Sequence, residues 1–276
     1  MSKLTSFVIV GAGGVGRVVA DELLKKSLRV TILTRDDTLT ELQAFKDRGA
    51  VLAKVDYAKP DSLKAALAGS EAVVCTVGSA ALGVQFDLAR AAKAAGVELF
   101  VPAEFGVSTT GGPKKMLQDL LKDLGLPYAL FFSGLFYQVL PSRLSHDYAR
   151  GKMQVVGHGT TKFSLTSRDD VGKFVAHVLS TAPKSALQWA TIPFEGDRKS
   201  PLEIAALAEK KLGKRMELTF IDVEDVKKLA ETDFAAFLLT VLAEGRGVSG
   251  TEEEVAAAKR EFFPEWSPTP YEEFIA

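Results

Sequence analysis

Three glycines near the start of the chain have the spacing of a loop that holds phosphate. Gly11, Gly13 and Gly16 follow the apolar run of residues 7–10 and precede a stretch with helical periodicity. In such a loop the first glycine permits a tight turn, the second lets the backbone approach a pyrophosphate, and the third allows the helix to pack closely on the strand. Unpaired N–H groups at the start of the helix attract the anion. We therefore predict a dinucleotide-binding segment that comprises Gly11, Ala12, Gly13, Gly14, Val15 and Gly16.

An arginine stands where the second strand of such a fold selects the cofactor. Arg35 directly follows the β-branched run of residues 30–34. Enzymes that use NAD(H) generally carry an acidic residue at this tip, whereas an arginine accommodates the 2′-phosphate of NADP(H). Asp36 and Asp37 come too late in the chain to reach the ribose. We predict NADP(H) as the cofactor, and a solvated loop arginine is the alternative.

The elements that must position these residues follow an alternating pattern. Short β-branched runs alternate with amphipathic stretches through the first half, as in a parallel sheet covered by helices on both faces. Strands are predicted at residues 7–10, 29–33, 51–55, 72–76, 99–101 and 128–132. Helices are predicted at residues 15–26, 40–46, 62–67, 85–95 and 114–124. Asp61 is the expected N-cap of the third helix, and Gly96 and Gly125 are expected to end the fourth and fifth.

The pattern changes after residue 132. A strand and turn are predicted at 151–159, a helix at 169–179, a strand at 189–192, and mainly helix beyond. We therefore predict an α/β fold: a Rossmann doubly wound parallel sheet with a smaller C-terminal α/β substrate lobe. The predicted NADP-binding domain is 1–150 and the lobe is 151–276, with segments of 151–195 as candidates for a return to the first domain.

The composition argues against several classes of function. A formal net charge of −1 gives no electrostatic reason to expect a nucleic-acid or membrane partner. The single cysteine, Cys75, rules out an internal disulfide and a cysteine metal cluster, and we expect it in a buried strand. The histidines lack ligand spacing, so no metal site is predicted. An apolar leader and a span of about 20 apolar residues are both missing, so we expect a cytoplasmic protein.

Several further segments resemble one protein family. They are Val55-Asp56, Cys75-Thr76-Val77-Gly78, Pro102-Ala103-Glu104-Phe105-Gly106, Leu124-Gly125-Leu126-Pro127-Tyr128, Gly157-His158-Gly159 and Ser167-Arg168-Asp169-Asp170-Val171-Gly172. With their spacing they resemble the NmrA-like and isoflavone reductase-like branch of the atypical short-chain dehydrogenases. The resemblance spans nearly the whole chain.

This resemblance implies roles for particular residues. Thr76, Val77 and Gly78 would run beside the cofactor, and Phe105 would lie near the nicotinamide. Reductases of the family carry a helical lysine thirteen residues before the proline of the segment that reads Leu-Pro-Tyr here, and this count from Pro127 gives Lys114. Such a lysine would touch the cofactor and exchange a proton with a substrate oxygen.

Two observations qualify the assignment of the lysine. Lys115 is adjacent and remains an alternative, and either side chain could simply be solvated. Ala103 replaces the serine that is usual in the family, and only seven residues separate Gly106 from Lys114, fewer than in the plant reductases. The family's second basic contact to the 2′-phosphate has no residue at matching spacing, and Lys46 is the candidate substitute for it.

Aromatic residues after the sixth strand are candidates for a substrate surface. Phe136 and Tyr137 lie just beyond this strand, so we predict that they contact an aromatic substrate together with Phe105, with core packing as the alternative. His158 is a further candidate substrate contact or a surface residue in a turn. Tyr148 and Lys152 have the YxxxK spacing of ordinary short-chain dehydrogenases, but Gly151 between them would break a helix, so we interpret the match as chance.

Two functions from different classes remain open on the sequence. The first is an NADPH-dependent reductase of a small aromatic, quinone-like, carbonyl or benzylic substrate, with Lys114 as the acid/base. The second is an NmrA-like NADP(H) sensor that binds a protein partner without turnover. Lys114 favours the enzyme, whereas the short loop before it leaves room for the sensor. We expect a monomer or a homodimer in either case.

Overall fold

The apolar run before the glycine loop forms the central strand of a parallel sheet in the computed structural model, which describes residues 2–276. The sheet consists of β1 Ser6–Val10, β2 Arg29–Thr34, β3 Val51–Lys54, β4 Ala72–Cys75 and β5 Leu99–Val101. Its order is β3-β2-β1-β4-β5, and every neighbouring pair is parallel. This is the order of a Rossmann sheet, as predicted.

Shorter strands and a set of helices complete the fold. The other strands are β6 Ala129–Phe132, β7 Leu135–Phe136, β8 His146–Asp147, β9 Lys152–Val156, β10 Phe163–Thr166, β11 Ala190–Pro193, β12 Asp197–Lys199 and β13 Glu217–Ile221. The helices are α1 Gly14–Lys25, α2 Thr40–Lys46, α3 Pro60–Leu67, α4 Val84–Ala94, α5 Gly112–Asp123, α6 Val139–Arg143, α7 Arg168–Thr181, α8 Lys184–Leu187, α9 Pro201–Leu212, α10 Val223–Lys227, α11 Phe234–Ala243 and α12 Glu252–Phe262. Short 3-10 helices lie at Ser79–Ala81 and Tyr271–Phe274.

The central strand shows why both faces of the sheet are covered. Every residue of β1 is buried, and successive side chains of a strand point to opposite faces. Phe7 and Ile9 pack into one apolar core, while Val8 and Val10 pack into the other. Each such burial stabilises the fold by about 1.5–3 kcal/mol relative to an exposed side chain. The two cores hold the carboxyl ends of the strands in one rigid edge.

Segments from the second half of the chain return to this sheet. A bridge between Phe100 and Tyr128 joins β6 to β5, and β11 pairs with β6 in parallel register. Helix α7 lies along α1 so closely that an ideal Cβ on Gly172 would stand 2.5 Å from the Cβ of Val18. The Rossmann half is therefore built from two separate stretches of sequence.

The remaining strands form a smaller lobe around a third core. Strand β10 pairs with β7 and β12, and β9 pairs with β8 and β13. The core of the lobe includes Tyr137, Tyr148, Phe163 and Tyr271. No helix within residues 2–276 is long and apolar enough to cross a membrane.

Some local expectations about helix ends and element types are met, and others fail. Gly96 and Gly125 directly follow the last turns of α4 and α5, as predicted. The prediction of Asp61 as an N-cap is wrong, because Lys59 occupies that position and Pro60 opens α3. Proline suits the first helical position since its missing N–H would have no partner there. The prediction of mainly helix beyond residue 192 also missed β12 and β13, whose partners are distant in sequence.

Candidate functional site

The glycine loop is closed by contacts that leave no room for larger residues. Gly11 has a φ of 91°, a conformation that favours glycine, and an ideal Cβ there would stand 3.2 Å from the carbonyl carbon of Thr76. A Cβ on Gly16 would overlap the carbonyl oxygen of Gly11 and Oγ1 of Thr76. The Thr76 hydroxyl donates to the carbonyl oxygen of Gly11. The loop after β1 and the end of β4 therefore form one tightly packed unit.

Two glycines of the same edge face open space instead. Ideal Cβ atoms on Gly13 and Gly78 would meet no atom within 4 Å. Gly13 is the N-cap of α1, and no side chain within the described residues caps this helix. Unpaired amides and an open backbone surface at a helix N-terminus are the features that an anionic phosphate requires. The residues of the loop thus fit the pyrophosphate of a dinucleotide.

At the tip of β2 the two acidic residues have polar partners within the protein, whereas the arginine has no ion-pair partner in the described residues. The carboxylate of Asp36 accepts hydrogen bonds from Oγ1 and N of Thr38, and these bonds lower the pKa of Asp36. Asp37 faces Lys54, whose Nζ is 3.9 Å from its Oδ1. Arg35 is exposed and forms no ion pair within residues 2–276.

The structure adds two residues near this tip that the sequence reasoning missed. Lys54, the exposed last residue of β3, lies in register beside Thr34, the last residue of β2. Tyr57 is half-buried, and burial raises its pKa to about 12 although the nearby charge of Arg35 opposes the rise. The register of β2 and β3, which sequence spacing does not reveal, places Lys54 beside the strand end that Arg35 follows.

A buried carboxylate holds Lys114 beside the end of β5. Nζ of Lys114 lies 3.5 Å from Oε2 of Glu104 and donates to the Glu104 carbonyl oxygen at 3.4 Å. Glu104 is 1% exposed, and its Oε1 accepts from Nε2 of Gln118 at 3.0 Å. Its Oε2 has no hydrogen-bond partner within the described chain, so the charge of Lys114 is the compensation it has. Sequence reasoning missed Glu104, although it stands in the segment that carries the resemblance.

The neighbouring lysine has a different environment. Lys115 pairs with Asp119 one turn further along α5 and retains 40% exposure, against 24% for Lys114. An ideal Cβ on Gly106 would stand 3.8 Å from Nζ of Lys114, so the backbone after Phe105 passes beside this amine. Of the two lysines, Lys114 is the one aimed at the edge of the sheet.

Two of the aromatic residues predicted to contact substrate pack against the same core. Phe105 and Phe136 are both half-buried and pack, as Ala12 does, against the apolar cluster on one face of the sheet. The carbonyl oxygen of Gly106 accepts from the backbone N–H groups of Ser133 and Gly134 at 3.0 Å, which ties the turn after Phe105 to the end of β6. These residues leave partly exposed aromatic surface at the carboxyl edge.

Tyr137 does not belong to such a surface. It is 1% exposed, its ring contacts Tyr271 and Phe274, and its hydroxyl donates to the carbonyl oxygen of Thr269 at 2.9 Å. The expectation that Tyr137 contacts substrate therefore gives way to its alternative, core packing. His158 is exposed in the turn after β9.

The two residues of the YxxxK match, Tyr148 and Lys152, have different surroundings in the structure. Tyr148 is buried and its hydroxyl lies 2.6 Å from that of Tyr271, whereas Lys152 pairs at the surface with Glu217. The two residues do not share a helix face, because Lys152 begins β9. Within residues 2–276 no three His, Cys, Asp or Glu side chains are grouped to hold a metal ion.

The fold and the glycine edge together define a Rossmann-type α/β protein. The sequence profile of the NmrA-like family matches residues 2–275, so the chain belongs to this family, and the predicted resemblance is confirmed. Phenylcoumaran benzylic ether reductase IRL1 of Ginkgo biloba is 26% identical over 303 residues, covering 100% of this chain and 99% of that protein.

Solved structures agree with this fold over the whole chain. A structure described as AtPrR2 with NADP⁺ and (+)pinoresinol superposes with a TM-score of 0.84 at 21% identity, covering 100% of this chain and 99% of the other. The binary complex of leucoanthocyanidin reductase with NADPH from Vitis vinifera gives 0.82 at 22% identity, with 98% and 97% coverage.

Proposed function

We propose that this protein is an NADPH-dependent reductase of a small aromatic, quinone-like, carbonyl or benzylic substrate. The observation that carries the proposal is the inward position of Lys114, which Glu104 holds beside the carboxyl edge of the sheet. Ligands of open α/β sheets bind at this edge. The similar proteins support a reductase. One of them is named as a phenylcoumaran benzylic ether reductase, and two of the similar structures are described as complexes with NADP⁺ or NADPH.

The cofactor would be held by three parts of the chain. Backbone amides of residues 11–16 bind the pyrophosphate, Arg35 pairs with the 2′-phosphate, and residues 76–78 run alongside. The exposed Lys54 at the neighbouring strand end supplies the second positive charge at the 2′-phosphate. When bound, NADPH supplies the hydride.

The acid/base step belongs to Lys114. Its ammonium donates a proton to the substrate oxygen that gains charge as the hydride arrives. The Glu104 carboxylate and the Glu104 carbonyl oxygen hold the amine in place between turnovers. Phe105 and Phe136 provide the apolar surface against which an aromatic substrate stacks.

A comparison of the two adjacent lysines tests the proposal. We expect NADPH oxidation with at least one member of a panel of benzylic ethers, quinones and isoflavone-like ketones. Lys114→Ala should lower kcat by about 100-fold or more, while Lys115→Ala should stay within about twofold of the wild type. Equal activity of the two variants would remove Lys114 from the mechanism. Tight NADPH binding without turnover on any substrate would instead favour a dinucleotide sensor.

A further inference from the structure

An arginine from the second half of the chain lies on the glycine loop. Arg168 is the first residue of α7, and an ideal Cβ on Gly14 would stand 2.9 Å from its Cδ and 3.6 Å from its Nε. Gly14 is not one of the three glycines that the loop pattern requires. Its missing side chain provides the space through which the stem of Arg168 passes.

The guanidinium of Arg168 is fixed from the other side by an aromatic ring. Its central carbon Cζ is 5.4 Å from the ring centroid of Phe136, within the range of a cation–π contact. Arg168 is exposed and forms no ion pair within residues 2–276. The neighbouring Asp170 does not neutralise it, because its Oδ2 accepts from Oγ of Ser167 and from the backbone N–H of Thr269.

The packing of two helices explains the position of this charge. Helix α7 runs beside α1 in the same direction, since Arg168 meets Gly14 and Gly172 meets Val18 one turn further on. Both helix N-termini therefore point to the same edge of the sheet, where their dipoles favour an anion. A guanidinium placed there offers paired N–H donors that match phosphate oxygens.

We infer that Arg168 is a ligand of the dinucleotide's pyrophosphate, held in position by Gly14 and Phe136. The inference deepens the proposed function and rests on its dinucleotide binding. It assigns the phosphate site to both halves of the chain: backbone amides come from the loop after β1, and the side-chain cation comes from α7.

Binding measurements on three ligands test the inference without turnover. The ligands are NADPH, NADH and adenosine 2′-monophosphate, which has the 2′-phosphate but no pyrophosphate. Arg168→Met keeps the stem over Gly14 and removes the charge. We expect it to raise the Kd of NADPH and NADH by the same factor, about tenfold, and to leave the Kd of adenosine 2′-monophosphate unchanged. Arg35→Ala should show the opposite pattern: the Kd values of NADPH and adenosine 2′-monophosphate should rise, and the Kd of NADH should not change.

Two further variants complete the design. Arg260→Met removes an exposed charge from α12 and should change none of the three affinities. Gly14→Ala should displace the arginine, and combining it with Arg168→Met should add little to the effect of Arg168→Met alone.

The outcomes separate this inference from the proposed function. Unchanged NADPH and NADH affinity in Arg168→Met, or a loss for NADPH alone, would overturn the pyrophosphate assignment while leaving the proposed function intact. A wild-type protein that binds neither dinucleotide would overturn both.

Discussion

The carboxylate of Glu104 is buried and faces the amine of Lys114 across 3.5 Å. A carboxylate without solvent is costly unless an opposite charge compensates it, so each of these residues constrains the other. The amine of Lys114 is thereby held at a defined place, while the side-chain amide of Gln118 donates to the other oxygen of the carboxylate. Glu104 acts on the reaction through the lysine and is a positioning residue.

Glu104→Gln is expected to separate this positioning from packing. The amide has nearly the same shape but no charge, so we expect kcat to fall about tenfold while the substrate KM changes less than about twofold. The melting temperature should not fall, since Oε2 has no hydrogen bond to lose within the described chain. Unchanged kcat in a folded Glu104→Gln protein, or a loss that appears in KM instead of kcat, would mean that Glu104 only fills space.

Alanine at two glycines of the loop should have opposite consequences. Gly13→Ala places a methyl group in open space, so we expect an unchanged melting temperature but an NADPH affinity about tenfold weaker, because the methyl group occupies the approach of the pyrophosphate. Gly16→Ala overlaps the backbone of Gly11 and the Thr76 hydroxyl, so we expect a loss of about 2 kcal/mol or more in the free energy of unfolding. Calorimetry and NADPH titration of the two proteins measure both effects. A stable Gly16→Ala protein, or full affinity in Gly13→Ala, would contradict the geometry of the loop.

The charges at the tips of β2 and β3 should determine cofactor preference. Lys54→Ala removes an exposed cation beside the predicted 2′-phosphate site, and we expect a several-fold loss of NADPH affinity, on the order of 1 kcal/mol, with NADH affinity unchanged. The difference should shrink as salt is added, because exposed charges are screened. Lys122→Ala, at the exposed end of α5, serves as the matched control. Tighter binding of NADH than of NADPH by the wild type would rule out the assignment of Arg35.

A buried histidine should make stability depend on pH. Burial lowers the pKa of His146 to about 4, whereas an exposed histidine titrates near 6.5. Between these values the unfolded chain binds the additional proton, so the free energy of unfolding should fall as pH falls, by on the order of 3 kcal/mol across the window. His146→Asn should reduce this slope and leave the part due to His177, whose pKa burial also lowers, whereas His158→Asn, at an exposed turn, should retain the full slope. Denaturant unfolding at several pH values between about 4 and 7 provides the measurement; equal slopes for His146→Asn and the wild type would refute it.

The parts of the molecule that local sequence encodes were predictable. The glycine loop is recognisable in the sequence because tight turns and close packing each require glycine at one position, and β1 and β4 appear as continuous apolar runs because both of their faces are buried. Helix α2 was predicted with its observed ends, Thr40 and Lys46.

The parts of the molecule that depend on residues distant in sequence could not be predicted. In the sequence, Tyr137 appears as a residue just beyond a strand. In the structure it is covered by the C-terminal segment that contains Thr269 and Tyr271. Lys54 lies near the tip of β2 because of the register between β2 and β3, and Arg168 lies on the glycine loop because α7 packs on α1. Both contacts join residues far apart in sequence. Contacts of this kind leave no local periodicity for a single sequence to reveal.

The return of β11 to β6 also bears on how proteins of this architecture are altered by recombination. The sheet is finished by a strand that follows the smaller lobe's first strands in the chain, and the C-terminal part of the chain then packs back onto the same core through Ala258 of α12 and through Trp266 beyond it. A gene truncated after residue 150 would encode a sheet with one open edge and an α1 face stripped of its covering helix. Exchange of the smaller lobe between relatives would accordingly require several coordinated crossovers.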